Sequence, residues 1–347
     1  MDTSHFIFSI SQLKEYLIFA GFDLKKVSLP NDAELPKDFR LQIPKYYVDQ
    51  IHWYDIDDPL RKIVLTSVEE SDLKEYEMVD PIGDESHSPV PGIVHRYPDR
   101  CLLMLTNMCA MHCRFCFRRN MLEHNQARFE DCMRYIEQHQ ELWEVILSGG
   151  DPFTLTPIFL ETIVSRLNKV DHLKVIRFHT RAPAASPNLI SDDFLAELKK
   201  IEKQCIVVLH INHPREITKE FVGLMGKLKE CGVMLLSQTV LLKGVNNDAE
   251  TLSELFKGLV EIGVKPYYLH HLDLAVGTHH FRVSVEEGKK IVQQLRGNIS
   301  GVCLPEYVID TPGGYGKIPV FWFQHTGGHK YQATSFEGTD IQYVDPS

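Results

Sequence analysis

The sequence predicts an α/β fold: a partial (β/α)6 TIM-type barrel, with an N-terminal helical region before it and a C-terminal antiparallel β elaboration after it. Six apolar, strand-like runs recur along the chain, and stretches with apolar residues at helical spacing lie between them. Repeated strand-then-helix units require parallel pairing through right-handed crossovers. Because six units are fewer than the eight of a closed barrel, the barrel is expected to be incomplete.

The predicted elements divide the chain into three regions. Residues 1–90 are a helical region that ends in a polar linker bearing Pro and Gly, residues 91–302 are the barrel, and residues 303–347 are the C-terminal β segment. The predicted barrel strands are 102–106, 145–148, 175–179, 206–210, 233–240 and 267–271. Crossover helices are predicted over 192–202, 216–229 and 248–262. The strands of the antiparallel elaboration are predicted over 304–310, 318–323, 330–334 and 341–344.

Composition limits the classes of function. The chain has 347 residues with 44% apolar content, enough to bury a substantial core. Its formal net charge of -10 shows no basic footprint for nucleic acid or for an anionic membrane, so a small-molecule substrate is expected. The N-terminus lacks a basic region before its first apolar residues, and no apolar run approaches the roughly 20 residues that cross a bilayer. We therefore expect a cytoplasmic protein.

Three of the eight cysteines form a specific motif directly after the first barrel strand. Cys109, Cys113 and Cys116 have the spacing C-x3-C-x2-C. Three such thiolates can ligate three irons of a [4Fe-4S] cluster and leave the fourth iron open to another ligand. The alternatives are three buried cysteines or a zinc site completed by His112 or a distant histidine, although no second cysteine pair follows.

Two glycine-rich segments are weaker signals. Ser148, Gly149, Gly150 and Asp151 follow the second predicted strand, where a Gly-Gly-Asp-Pro sequence alone would be an ordinary turn. Lys317 ends the glycine-rich turn 310–317, whose glycines could let the backbone approach a bulky cofactor. A lysine amine forms a Schiff base with a carbonyl cofactor, although a solvated loop lysine is the usual alternative.

Several motifs together resemble one family. They are HRYPDR at 95–100, CFRR at 116–119, HINHP at 210–214, SQTVLLKGVN at 237–246, and Asp273-Leu274 with His280-Phe281-Arg282 soon after. From about residue 95 to 337, the chain resembles the lysine 2,3-aminomutase (KamA) family of the radical S-adenosylmethionine (SAM) superfamily. That family includes a short branch linked to β-lysylation of elongation factor P.

The resemblance implies three cofactors and a role for each matching residue. Cys109, Cys113 and Cys116 would hold a [4Fe-4S] cluster that cleaves SAM, while Lys317 would bind pyridoxal 5'-phosphate. The other matching residues would contact SAM or the pyridoxal group (Ser148, Gly149, Gly150, Asp151, His210, Arg96, Arg100 and Gln238) or the substrate (Arg118 at its carboxylate, Asp273 and Asp310 at its distal ammonium).

The implied reaction is the conversion of L-lysine to β-lysine by a radical 1,2-amino shift. Two carboxylates in a water-poor pocket select a cationic side chain, which leaves ornithine or arginine as alternative substrates. A non-enzymatic iron-sulfur or zinc protein is an alternative of another class. A reductase, flavodoxin or ferredoxin is the expected electron donor. The cysteine-rich tail of the longer members has no counterpart here, so a zinc-linked assembly is not expected, and a homo-oligomer stays open.

Overall fold

The computed structural model describes residues 3–30, 40–121 and 126–346. The α-helices are α1 (Ile10–Phe19), α2 (Lys45–Val48), α3 (Pro59–Val64), α4 (Phe129–Gln138), α5 (Pro157–Asn168), α6 (Ala182–Ala185), α7 (Asp192–Lys199), α8 (Lys219–Glu230), α9 (Ala249–Glu261) and α10 (Val285–Leu295). The strands are β1 (Phe6–Ile7), β2 (Ile43–Pro44), β3 (Ile93–Tyr97), β4 (Arg100–Leu103), β5 (Glu144–Leu147), β6 (Val175–Thr180), β7 (Gln204–His210), β8 (Met234–Val240), β9 (Lys265–His270), β10 (Glu306–Asp310), β11 (Lys317–Pro319), β12 (Gln324–Gly327), β13 (Lys330–Thr334) and β14 (Asp340–Val344).

One nine-stranded sheet forms the centre of the molecule. Its order is β11-β10-β9-β8-β7-β6-β5-β4-β3, with every neighbouring pair from β4 to β10 parallel and an antiparallel strand at each edge. The helices from α4 to α10 lie in the crossovers between successive parallel strands. This arrangement confirms the predicted partial α/β barrel.

The assignment of residues 304–310 to the antiparallel elaboration was wrong. This run is β10, which pairs parallel with β9 through Tyr307 and Leu269 and so extends the barrel sheet. The reason is α10, a crossover helix that returns the chain to the end of the sheet where the preceding strands begin. An apolar strand pattern is the same whether its partner is parallel or antiparallel.

The rest of the C-terminal prediction is confirmed in part. The run predicted over 318–323 divides into β11, antiparallel to β10, and a 3-10 turn over Val320–Trp322. Beyond it, β12, β13 and β14 form the expected small antiparallel sheet. The division of the chain into three regions at residues 90 and 302 stays a prediction.

Side-chain caps fix where the crossover helices begin. Thr156, Ser191, Thr218, Asp248 and Ser284 each accept a hydrogen bond from a backbone N–H in the first turn of α5, α7, α8, α9 and α10 respectively. Each such cap contributes about 1 kcal/mol. The caps also set the length of each loop that leaves the carboxyl end of a strand, and these loops carry most of the site described below.

Within the described residues of the N-terminal region, the helices α1, α2 and α3 are short, and β1 and β2 form a separate two-stranded sheet. Among the described residues, no helix is long and apolar enough to span a membrane.

Candidate active site

One cavity of about 580 Å3 lies against the barrel sheet. Its wall includes residues from β3 to β10 and from the loop after β4, and every residue predicted for the site contributes to it. They are Arg96, Arg100, Cys109, Cys113, Cys116, Arg118, Ser148, Gly149, Gly150, Asp151, His210, Gln238, Asp273, Asp310 and Lys317. The structure therefore brings all of them together, while what each one binds stays a prediction.

The three cysteines lie in an irregular loop that the N-terminal region holds in place. The amide of His112 donates to the carbonyl of Gln42 at 3.0 Å, and the side chain of Gln42 donates to the carbonyl of Cys109 at 2.6 Å. Further along, the amide of Arg114 donates to the carbonyl of Ile63 at 2.9 Å. These bonds give the N-terminal region a role that the sequence did not reveal, which is to support the cysteine loop.

A buried carboxylate strengthens this support. Arg114 Nε donates to Glu70 Oε1 at 2.8 Å, and Arg119 Nη2 donates to Glu70 Oε2 at 2.6 Å. Burial alone would raise the pKa of Glu70, but the two guanidinium groups hold it below its usual value. Removing one partner from a buried ion pair leaves an uncompensated charge, so this triad locks the loop to the N-terminal region.

The cysteine thiols are prepared for metal rather than for free thiolate chemistry. Burial raises the pKa of all three, and that of Cys113 reaches about 12. Such thiols stay protonated at neutral pH until a metal displaces the proton. Arg118 lowers the pKa of Cys109 and Arg181 that of Cys113, so two cations are placed to offset thiolate charge.

The two glycines after β5 make room for the cysteine loop. Gly149 has a φ of 102°, which favours glycine, and a Cβ on Gly150 would lie 2.4 Å from the carbonyl oxygen of Met108. At this close approach, the amide of Gly150 donates to the carbonyl of Thr106 at 2.9 Å. The segment therefore holds the chain just before Cys109.

The carboxylate of Asp151 is fully used within the protein. Its Oδ1 accepts from the amide of Phe153 at 2.9 Å and from the hydroxyl of Thr180 at 2.7 Å, while Oδ2 accepts from the amides of Arg181 and Ala182, both at 2.8 Å. These four bonds give the carboxylate a structural role, while the predicted place of Asp151 in the cofactor site stays a prediction. The carboxylate ties the end of β5 to the loop after β6.

Arg118 and Arg96 share one aspartate that the sequence analysis missed. Arg118 donates to Asp84 Oδ2 from Nε at 2.9 Å, and its Nη2 lies 2.8 Å from the same oxygen. Arg96 Nη2 donates to Asp84 Oδ1 at 3.1 Å. Among the described residues, the remaining Nη1 of Arg118 contacts only the hydroxyl of Ser148, at 3.4 Å. Asp84 thus orients Arg118 and leaves one of its nitrogens weakly bonded.

Lys317 and Asp310 face each other across the β10–β11 pair. They are directly opposite in register, and Lys317 Nζ forms an ion pair with Asp310 Oδ2, while Arg96 Nη1 donates to Asp310 Oδ1 at 2.9 Å. Burial opposes both charges, but their attraction lowers the pKa of Asp310 and raises that of Lys317. Asp310 is therefore an ionised carboxylate that already binds a primary ammonium.

The glycines before Lys317 contact protein. A Cβ on Gly314 would lie 2.3 Å from the ring of His87, and one on Gly316 would lie 2.8 Å from the hydroxyl of Tyr97. That hydroxyl also accepts from the amide of Lys317 at 2.9 Å. This close packing fixes the backbone of Lys317, and the approach of these glycines to a cofactor stays a prediction.

Asp273, in the loop after β9, has a different environment. Asp273 as a whole residue is half-buried at the cavity wall, and no residue in the described part of the chain donates a hydrogen bond to its carboxylate. Arg282 donates to the backbone carbonyls of Leu272 and Asp273, at 3.0 and 2.8 Å, and not to the carboxylate of Asp273. Burial and the charge of Asp310 raise the pKa of Asp273 to about 7. A cation in the cavity would relieve this cost.

The other predicted binding residues lie around the same cavity. The guanidinium of Arg100 lies 3.8 Å from the ring centroid of Tyr97, and its Nη1 donates to Asp99 at 2.6 Å. His210 packs on Phe115 at 5.5 Å between ring centroids. The Nε2 of His210 is buried, with no hydrogen-bond partner among the described residues. Burial and the charge of Arg181 hold the pKa of this imidazole well below its usual value.

Comparisons with known proteins decide the family. The model of the radical SAM superfamily matches residues 103–256. The chain is 36% identical over 345 residues to L-lysine 2,3-aminomutase of Clostridium subterminale, which covers 97% of this chain and 82% of that relative. The chain belongs to the lysine 2,3-aminomutase family. Because aminomutases are isomerases, it is an enzyme of that class.

Other members of this family are similar to a comparable extent. The chain is 39% identical over 320 residues to glutamate 2,3-aminomutase of Clostridioides difficile, covering 90% of this chain and 75% of that one. It is 37% identical over 288 residues to L-lysine 2,3-aminomutase of Escherichia coli K12, covering 82% and 84% respectively. Among solved structures, it matches a radical SAM methyltransferase from Sphaerobacter thermophilus with a TM-score of 0.43 and 19% identity, over 62% of this chain and 68% of that one.

The side chains of the cavity fit the cofactors of the lysine 2,3-aminomutase family. Among the described residues, no three or more His, Cys, Asp or Glu side chains are arranged to hold a single metal ion, but a four-iron cluster takes each thiolate on a separate iron. Lys317 supplies a primary amine on a backbone fixed by packing. Nε2 of His210, which has no partner among the described residues, is available to bind a polar group of a cofactor beside the cysteine loop.

Two groups of site residues escaped the sequence analysis. Asp84 gave no signal, because an aspartate in a linker with Pro and Gly has the composition of an ordinary turn. His179 and His270 did give one: each lies at the carboxyl end of a predicted strand, as His210 does, and each lines the cavity. That position in a parallel barrel is where active-site residues gather.

Proposed function

We propose that the protein is an L-lysine 2,3-aminomutase, which moves the amino group of L-lysine from carbon 2 to carbon 3 and yields β-lysine. The observation that carries this proposal is the arrangement of Lys317, Asp310 and Asp273 at one cavity. It combines an amine that can react with a carbonyl cofactor, a carboxylate already bound to an ammonium, and a second carboxylate to which no described residue donates.

The Lys317–Asp310 pair indicates how the side chain of the substrate is bound. The ammonium of Lys317 is chemically identical to the distal ammonium of free lysine, and Asp310 accepts it in a buried setting. When the nitrogen of Lys317 is engaged by the pyridoxal group, Asp310 keeps only Arg96 as a cationic partner. Asp310 and Asp273 then form a pair of carboxylates whose mutual repulsion a substrate ammonium relieves.

Arg118 is placed to bind the carboxylate of the amino acid. Its Nε and Nη2 are held by Asp84, so the planar guanidinium group has a fixed orientation at the cavity wall. Nη1, with only its 3.4 Å contact to Ser148, is the nitrogen that a substrate carboxylate would use. A bound amino acid would thus be held at both ends, which selects an α-amino acid with a distal cation.

The remaining predicted residues would hold the cofactors. Cys109, Cys113 and Cys116 would hold the cluster, while Arg96, Arg100 and Gln238 would surround the phosphate of the pyridoxal group or SAM. The SAM site would include His210 and the backbone at Ser148, Gly149 and Gly150. When bound, these groups supply a radical that removes and returns a hydrogen atom and a carbonyl carbon that carries the migrating nitrogen. The protein orients the amino acid and excludes water.

This proposal includes an external source of electrons. A reductase, flavodoxin or ferredoxin would reduce the cluster by one electron before turnover. Cleavage of SAM would take that electron from the cluster, and return of the hydrogen atom with re-formation of SAM would give it back. Dithionite can replace that partner in an assay.

The test is an anaerobic assay of the reconstituted full chain with L-lysine, SAM, pyridoxal phosphate and dithionite, with β-lysine detected by mass spectrometry. Lys317→Ala and Cys113→Ala should abolish the product. Lys330→Ala on the exposed face of β13 and Cys231→Ala, outside the cavity, are the matched controls and should retain it. Ornithine, arginine and glutamate are assayed in parallel. Conversion of one of these in place of lysine would contradict the assigned substrate, and no SAM cleavage with the cluster intact would contradict the reaction.

A further inference from the structure

His179 is a cavity residue to which the proposed function assigns no role. It lies on β6 two residues after Arg177, and alternate residues of a strand share one face, so both line the cavity. Arg177 pairs with Glu144 at 2.8 Å. The Nε2 of His179, in contrast, is buried and has no hydrogen-bond partner among the described residues.

A buried imidazole nitrogen without a partner calls for a ligand. Buried polar atoms in folded proteins are nearly always hydrogen-bonded, and leaving one unpaired costs about 1–3 kcal/mol. His179 stands on a central strand of the sheet, between β5 and β7, so its backbone cannot easily move to find a partner. The partner is therefore expected to come from the cavity.

The surroundings of His179 determine what it can offer that partner. Burial, followed by the charges of Arg177, Lys317 and Arg118, holds the pKa of His179 well below its usual value. The ring is therefore neutral, with one nitrogen that donates and one that accepts. A neutral donor among so many cations suits an anionic oxygen, because it adds a hydrogen bond without adding another positive charge.

We propose that His179 donates a hydrogen bond to the ring oxygen of the pyridoxal group bound at Lys317. This inference rests on the proposed function. In pyridoxal, the ring hydroxyl is on the carbon next to the one that bears the aldehyde, so a side chain near the amine of Lys317 is also near that oxygen. His179 would then be a positioning residue for the cofactor, in the cavity that Lys317 and Arg118 also line.

The test measures the bound cofactor without turnover. The full chain is loaded with pyridoxal phosphate in the absence of SAM and lysine, and the visible absorbance that depends on Lys317 is titrated with pH. His179→Phe keeps the size of the ring but removes the donor, and His179→Ala is a second variant in case the first fails to fold. His179→Gln keeps an N–H donor. His210→Phe is the matched control, an unpartnered cavity histidine on the side of the cysteine loop.

Loss of the His179 donor should raise both the pH midpoint of the absorbance band and the dissociation constant of pyridoxal phosphate. A hydrogen bond to the ring oxygen would lower the basicity of the Lys317 nitrogen that is bound to the pyridoxal group. Loss of the donor in His179→Phe or His179→Ala should therefore raise the pH midpoint of the absorbance band. The dissociation constant of pyridoxal phosphate should rise by about tenfold, as for the loss of one hydrogen bond to a charged group. His179→Gln should stay close to wild type, and so should His210→Phe.

Several results would overturn the inference. An unchanged midpoint and affinity in folded His179→Phe or His179→Ala would do so, even if lysine bound more weakly, because the contact would then be with the substrate. An equal shift in His210→Phe would show a general loosening of the cavity, and a full shift in His179→Gln would show that the donor is not what counts. If wild type has no band that Lys317→Ala removes, the proposed function itself fails.

Discussion

The end of β5 and the loop after β9 each place an aspartate at the same cavity, in opposite situations. Asp151 accepts four hydrogen bonds from its surroundings, while the carboxylate of Asp273 accepts none from the described residues. Burial raises the pKa of both. A buried carboxylate is costly unless donors or cations offset its desolvation.

The comparison separates residues that build the cavity from residues that await a ligand. Asp151 is offset within the protein, so it holds the strand ends in place before any ligand arrives. Asp273 is not offset, so its cost is relieved only when a cation enters. Substitution of Asp273 should therefore change ligand binding, and substitution of Asp151 should change stability.

The largest expected effect follows from removing the charge that awaits a cation. Asp273→Asn should lower kcat/KM for L-lysine by about 100-fold, because truncating one partner of a buried charge pair costs 2–5 kcal/mol. The folded chain itself should not lose stability. Product formation by mass spectrometry and urea unfolding measure the two effects, with Asp192→Asn on the exposed start of α7 as the control. Full activity in Asp273→Asn would remove the basis of the comparison.

Asp151→Asn, unlike Asp273→Asn, should lower the stability of the folded chain. The asparagine side chain has an NH2 group in place of one carboxylate oxygen. That NH2 group would face either the amides of Arg181 and Ala182 or the amide of Phe153 and the hydroxyl of Thr180, all of which are donors. We expect a loss of about 2–4 kcal/mol in the free energy of unfolding. Urea unfolding of Asp151→Asn beside Asp273→Asn measures the difference. Equal stability of the two variants would show that the hydrogen bonds of Asp151 carry no structural weight.

The sequence predicted more of the site than of its supports. The cysteine spacing and the motifs around Arg118, Asp273 and Lys317 located residues that the structure does bring to one cavity. Asp84 could not be found in this way, because its role depends on which arginines the folded chain brings to it. The same holds for Glu70, whose partners in the cysteine loop are more than forty positions away.

The sequence likewise predicted the strands of the fold better than their pairing. The six predicted barrel strands overlap β4 to β9, since local apolar pattern and turn residues suffice to mark a strand. The pairing of β10 was missed because the pattern of residues 304–310 does not encode the direction of its neighbour. The glycines at 149 and 150 were recognised, but the contact that requires them, the carbonyl of Met108, comes from a different loop.

The affinity for L-lysine should depend on pH through the ionisation of Asp273. The pKa of Asp273 is about 7, raised by burial and by Asp310 and opposed by Lys317, Arg282 and Arg118. Lysine binding needs the ionised form, so affinity should rise about tenfold from pH 6 to pH 8, at roughly one decade per pH unit below the pKa. Equilibrium binding of L-lysine to the enzyme loaded with pyridoxal phosphate measures this rise. Asp273→Asn should abolish it, and its persistence in that variant would assign the titration to another group.

The free energy of unfolding should fall as pH rises, whereas the affinity for lysine should increase. Because the folded chain holds the proton of Asp273 more tightly than the unfolded chain does, this residue contributes stability that is complete below its unfolded pKa of about 3.9 and is lost as pH rises through about 7. Urea unfolding of wild type and Asp273→Asn across pH 5 to 8 measures the contribution of this residue. Stability should fall more steeply in wild type than in Asp273→Asn, and parallel curves would contradict a raised pKa at Asp273.

The smallest expected effect concerns Ser148, whose hydroxyl contacts Arg118 at only 3.4 Å. In Ser148→Ala, Asp84 still holds Arg118 through two nitrogens, so the guanidinium should keep its orientation. We expect KM for L-lysine to rise about two- to threefold with kcat unchanged, as for loss of a weak hydrogen bond used equally in the ground and transition states. Ser165→Ala, at an exposed position of α5 outside the cavity, is the matched control and should change neither constant. A tenfold fall in kcat would instead place Ser148 among the residues that await a ligand, at the SAM site that the family resemblance implies.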